Sequence, residues 1–121
     1  MRANELRIEN YVHYGPDKEL ACVKEIGKEC VVFKCYDLET YDKIAPISLT
    51  EEILLKCGFE KMKTFSGIFS YKMKQGCIQI YWSRDHECYI LENLSWVCIK
   101  YLHQLQNLYF ALTNGELEIK L

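Results

Sequence analysis

The sequence predicts an α+β fold. A small N-terminal SH3-like β-barrel or meander leads into a short helix, an antiparallel β-meander, one amphipathic helix and a closing strand. Three observations predict it. Short runs rich in Val, Ile, Tyr and Phe alternate with Gly, Pro and Asp breaks, as strands joined by tight turns do. A short helix in the middle of the chain carries start and stop signals at both ends. Residues 101–121 (YLHQLQNLYFALTNGELEIKL) encode an amphipathic helix, a stop and a terminal strand.

Residues 1–47 form the β-rich half. Residues 5–14 (ELRIENYVHY) end at the Gly15-Pro16 turn, and residues 20–26 (LACVKEI) end at Gly27. Residues 29–36 (ECVVFKCY) favour a strand, residues 37–40 make a polar break, and residues 41–47 run extended. There Pro46 keeps Ala45 out of helical space. A small SH3-like barrel or a curled meander satisfies this pattern. A flat three-stranded sheet packed on the other half is the alternative.

Residues 48–121 form an α+β half. Thr50 is an N-cap for a helix over 51–57, and Glu51 and Glu52 favour its positive end. Leu49 and Leu54 occupy the staple positions, and Gly58 ends the helix with Phe59 folding back. So short a helix needs packing on Ile53, Leu54 and Cys57. Strands follow over about 64–91, where Gly67 suggests a bulge. In residues 77–83, alternation sends Ile78, Ile80 and Trp82 to a core face, and Tyr81 to the face open for contact. Residues 95–99 fit either a strand or the start of the last helix.

That last helix covers about 101–113, with an apolar stripe centred on Leu105 that packs across the meander. Asn114-Gly115 stops it, and residues 116–120 add a strand. No linker composition separates the halves, so they are expected to pack as one unit.

Charge and cysteine usage bound the function. Net charge is −2, but residues 56–84 carry six basic side chains against Glu60 alone. Seven cysteines stand at 22, 30, 35, 57, 77, 88 and 98 without Cys-x-x-Cys spacing. Free, mostly buried thiols in a reducing cytoplasm fit that pattern. Cys30 and Cys35 point to opposite faces of one strand, against a local metal site. No apolar run approaches the length of a signal peptide or a membrane span.

The chemistry-bearing residues form no catalytic pattern. His13, His86 and His103 stand on a strand, a turn and a helix, and nothing local pairs them with Cys or Ser. There is no P-loop and no dinucleotide glycine pattern. The expectation is a protein without catalytic residues, metal or cofactor. Two binding surfaces are expected instead. His103, Gln106, Asn107 and Phe110 share the polar side of the last helix; either a strand or the N-terminal half covers this face and makes the helix two-sided, or the aromatic anchors a protein partner or a second copy there. The alternative is a weak single-stranded nucleic-acid surface of Lys61, Lys63, Lys72, Lys74, Tyr81 and Arg84. An acidic pI of 5.9 weighs against it.

Three segments carry a resemblance: MRANELRIENYV, PISLTEEILLKCGFEK and YLHQLQNLYFALTNGELEIKL. Together the chain resembles an uncharacterised family of short proteins from gut anaerobes and their phages or integrated elements. The resemblance implies a small accessory binder and no activity. Relatives are expected to carry Gly at the position of Glu9, and Gly-Glu at that of Asn114-Gly115.

Overall fold

The computed structural model describes residues 1–63, 67–73, 78–92 and 94–120, with only the backbone at Ser95. It is α+β, as the sequence predicts, with ten strands in two antiparallel five-stranded sheets and two α-helices among the described residues. The chain divides into two compact units. The first is Met1–Ser48 with Tyr101–Leu108, and the second is Leu49–Lys100 with Tyr109–Leu121. The terminal helix α2 (Leu102–Thr113) contributes residues to both. Its first half therefore belongs with the N-terminal β-rich unit, whereas the sequence assigned the whole helix to the meander.

In the first unit, β1 (Tyr11–Tyr14), β2 (Glu19–Ile26), β3 (Cys30–Phe33), β4 (Leu38–Thr40) and β5 (Ile44–Ala45) pair in the order β4-β3-β2-β1-β5. This sheet curls into a half-barrel. A register shift between Val23 and Glu25 helps bend it, since a bulge sharpens local twist. Alternation sends Val12, Val23, Val31 and Phe33 inward, all fully buried, and they pack with Leu6, Ala21 and Ile44. The polar break at 37–40 is in fact mostly strand β4, whose residues complete the ladder with β3.

The long opening strand does not form. Ala3–Glu5 makes a 3-10 turn, and only Tyr11–Tyr14 is strand. Between them the Asn10 amide donates to the Arg7 carbonyl at 3.1 Å. The Arg7 amide donates to Asn10 Oδ1 at 2.7 Å. Glu9 closes this turn with φ +82°, a region that glycine enters freely. L-residues pay about 1–2 kcal/mol there. The exposed ion pair that Glu9 makes with Lys34 returns about 0–1 kcal/mol. Glu9→Gly is therefore expected to leave stability unchanged or raise it by up to about 1 kcal/mol, read as the urea midpoint. A loss larger than that would mean the Glu9 side chain itself holds the turn.

In the second unit, α1 (Glu51–Lys56) precedes β6 (Phe59–Lys63), β7 (Phe69–Met73), β8 (Gln79–Ser83), β9 (Cys88–Leu91) and β10 (Leu94–Ile99). Their order, β10-β9-β8-β7-β6, is a plain meander. The signals for α1 act as expected. The Ile53 amide donates to Thr50 Oγ1 at 3.2 Å, Leu49 and Leu54 are buried, and Gly58 takes φ +88°. Three expectations change. Strand character begins directly after Gly58, at Phe59. Gly67, with φ +79°, stands just before β7 rather than within a strand. The ambiguous stretch 95–99 belongs to β10.

The closing strand is also absent, because residues 116–120 join neither sheet. The Lys120 amide instead donates to the Lys56 carbonyl at 3.0 Å, and Leu117 is buried. Carbonyls at a helix C-terminus lack partners within the helix, and this segment supplies one donor. Asn114 stops α2 at φ +58°, with its amide bonded to the Phe110 carbonyl at 2.8 Å.

Candidate binding site

The polar face of α2 has its hydrogen bonds inside the first unit. Gln106 is 1% exposed. Its Oε1 accepts from the Tyr11 amide at 2.8 Å, and its Nε2 donates to the Glu9 carbonyl at 3.0 Å. Asn107 Oδ1 accepts from Asn10 Nδ2 at 2.9 Å and from Arg7 Nε at 3.3 Å, and its Nδ2 donates to the Glu5 carbonyl at 3.3 Å. Asn10 is itself fully buried. These amides satisfy backbone groups of the irregular segment between the opening turn and β1 that its bonds to Val23 of β2 leave unpaired.

The burial follows the two-sided alternative that the sequence left open. His103 and Gln106 are buried, Asn107 is bonded within the unit, and Phe110 is half-buried. The helix is buried on two sides in its first half. Leu102 and Leu105 are fully covered on the apolar stripe, whereas Leu112 near the C-terminus is exposed. His103 stacks on Tyr101 with ring centroids 6.0 Å apart. Burial pulls its pKa below the ordinary 6.5, partly offset by Glu5.

The second unit carries an aromatic cleft that the sequence reading missed. Register places Lys61, Tyr71 and Ile80 in one row across β6, β7 and β8, and Trp82 and Tyr89 in another across β8 and β9. Phe69 lies on the same face, opposite Lys63. The rings pack edge to face, Tyr71 with Tyr89 at 5.8 Å and Trp82 with Tyr89 at 5.0 Å. Tyr71 and Tyr89 are buried, whereas Phe69 and Trp82 each remain 41% exposed. They border a cleft of about 860 Å³ together with Ile68 and the turn residues Arg84, Asp85 and His86. Ladder geometry explains why the rings stay open. A helix of six residues is about 9 Å long, whereas five strands span about 19 Å, so α1 covers only part of the sheet.

One end of this face is anchored by Glu51. Its Oε1 accepts from Tyr71 OH at 2.9 Å and pairs with Lys61 Nζ at 2.6 Å. Lys61 Nζ also lies 3.9 Å from the Phe69 ring centroid. Glu51 thus does more than favour the helix dipole, because it ties α1 to the sheet. The Lys61 and Tyr71 bonds hold its carboxyl below the ordinary 4.5. Burial, with Glu51 as its bonding partner, pushes the Tyr71 hydroxyl up. A lowered carboxyl stabilises the fold fully above its unfolded value and loses that contribution as pH falls through the folded value. Glu51→Gln is expected to flatten the acid-side decline of the urea midpoint below about pH 4.5. An unchanged slope would show that the carboxylate bonds contribute nothing to stability.

The six nucleic-acid candidates separate. Lys61 and Lys63 lie on the aromatic face, with Lys61 engaged by Glu51. Lys72 alternates to the opposite face. Tyr81 pairs across from buried Ser70 on that opposite face and is half-buried, though it also borders the cleft. Arg84 is exposed in the turn after β8. Lys74 lies outside the described residues. Trp82, assigned to the core by alternation, is the open ring, and Tyr81 is the more covered one. The available signal was position: Trp82 is next to last in its strand, directly before a polar turn.

The thiols also depart from expectation. Cys88 and Cys98 form a disulfide, while Cys22, Cys30, Cys35 and Cys57 are not disulfide-bonded. Of these four only Cys57 is buried, and burial pushes its thiol up to about 12. Cys77 lies outside the described residues. Among the described residues no group of three or more His, Cys, Asp and Glu is placed to hold a metal ion. No helix among them is long and apolar enough to cross a membrane.

Comparison with protein-family models, with curated proteins and with solved structures finds no match.

Proposed function

We propose that the protein is a non-enzymatic binding module for another protein chain, and that the aromatic cleft of its second unit makes the contact. One observation carries this reading. Phe69 and Trp82 stand exposed at one cleft beside buried, edge-packed Tyr71 and Tyr89, so two anchors are held on a rigid sheet. The turn that rims the cleft offers Arg84 against Asp85, a balanced pair rather than a basic groove. Such a surface favours a protein segment with apolar side chains over a phosphate backbone. Four cysteines outside any disulfide support a reducing compartment such as the cytoplasm. The resemblance to short proteins of gut anaerobes and their phages supports an accessory role.

Single-stranded nucleic acid is the second reading. Lys61 over the Phe69 ring and Lys63 across from it favour it. A tagged pull-down from lysate, with and without nuclease and over a salt series, separates the two. Retention of a protein that survives nuclease and changes little with salt is the expected result. Binding that vanishes with nuclease and falls steeply with salt would replace the first reading with the second. Retention of the protein's own copies alone would make the partner a second chain.

A further inference from the structure

Cys88 and Cys98 link β9 to the outermost strand β10, while the four other described cysteines are not disulfide-bonded. The two halves of the bridge differ. Cys88 is fully buried in a strand whose four residues are all buried, whereas Cys98 is exposed. The strand that carries Cys98 is the outermost of its sheet. It meets β9 at Leu94, Cys98 and Ile99, and its register shifts between the first two. The residues between the cysteines form a short loop, separation 10, and short loops gain least from cross-linking. A bridge with one exposed cysteine on an edge strand is more open to exchange with thiols than one buried at both ends.

We propose that Cys88–Cys98 is a thiol–disulfide exchange site for a low-molecular-weight thiol such as glutathione, with Cys98 the sulfur attacked and Cys88 the leaving and resolving sulfur. In the reducing direction the thiolate forms a sulfur–sulfur bond to Cys98, and the bond between Cys98 and Cys88 breaks. The electron pair stays on Cys88, which takes a proton from solvent. A second thiolate attacks the small-molecule sulfur of the mixed disulfide and releases Cys98 as thiolate. Two small thiols are thereby oxidised to one disulfide, and the protein bridge becomes two thiols. Oxidation runs the same steps backwards: Cys98 attacks a small disulfide, and Cys88 resolves the adduct.

The test equilibrates the full chain in mixtures of reduced and oxidised glutathione, traps thiols by alkylation and maps the peptides. Half-reduction is expected inside the working range of the glutathione couple, with any mixed disulfide on Cys98. Cys88→Ser and Cys98→Ser then each leave one member of the pair. Oxidised glutathione is expected to modify Cys98 in the first variant at least about tenfold faster than Cys88 in the second. If Cys88→Ser fails to fold, the order of adducts in the unaltered chain gives the same answer. A bridge that resists reduced glutathione until urea is added would overturn the proposal. So would two free thiols in fully oxidised buffer, or adducts chiefly on Cys88.

Discussion

Gln106→Leu is expected to cost the first unit about 2–4 kcal/mol, read as the shift in its urea unfolding transition. Leucine fills most of the same volume, so the loss is not one of packing. It removes the acceptor of the Tyr11 amide and the donor to the Glu9 carbonyl, in a site 1% exposed. The part-buried Tyr11 amide then loses its partner, the Glu9 carbonyl keeps only a weak thiol donor from Cys22 at 3.5 Å, and each unmade bond costs about 1–3 kcal/mol. Gln106→Glu separates the two bonds. A carboxylate still accepts from Tyr11 but cannot donate to Glu9, and it brings a charge into a buried position. The expected order of stability is glutamine, then both variants well below it. A leucine variant as stable as the native chain that fails to retain a partner would return the helix face to the role of interface.

Trp82→Ala is expected to weaken partner retention by at least about thirtyfold, which corresponds to a hot spot of about 2 kcal/mol. The fold should tolerate the change. The indole is 41% exposed and shares its buried side chiefly with Tyr89, 5.0 Å away. Phe69→Ala should act in the same direction, while Lys72→Ala, on the opposite face of the meander, should not. Circular dichroism with the urea midpoint checks the fold, and a quantitative pull-down or titration checks the binding. If Trp82→Ala binds like the native chain and Lys72→Ala does not, the contact surface lies on the other face.

Much of the local structure was legible because its causes are local. Thr50, Glu51, Leu54 and Gly58 mark α1 almost to the residue, since capping and the left-handed stop depend on neighbours in sequence. The Gly15-Pro16 break likewise marks the turn between β1 and β2. The errors lie where a residue's role depends on a distant strand. Leu38–Thr40 reads as a polar break but completes a ladder with β3, because edge strands need few apolar side chains. The Glu9 turn hides inside a run of strand-forming residues.

The candidate site was less legible than the fold. Gln106 and Asn107 look like a wet helix face, because side-chain amides suit solvent as well as a buried backbone. Only the arrival of Arg7–Asn10 decides between the two. Trp82 carries the parity of Ile78 and Ile80, and parity says which face a side chain takes, not whether that face is covered there. Pairing Cys88 with Cys98 likewise required the register of β9 against β10.

By itself, then, the sequence determined the α+β class, the helix ends and the first turn between strands. Each follows from the chain's periodicity and its local turn chemistry. The tertiary structure alone decided that the polar side of α2 is interior, that Phe69 and Trp82 are open, and that two of the thiols are joined. Exposure and pairing are properties of what lies across from a residue. That is set by chain segments up to a hundred positions away, whose approach no local pattern records.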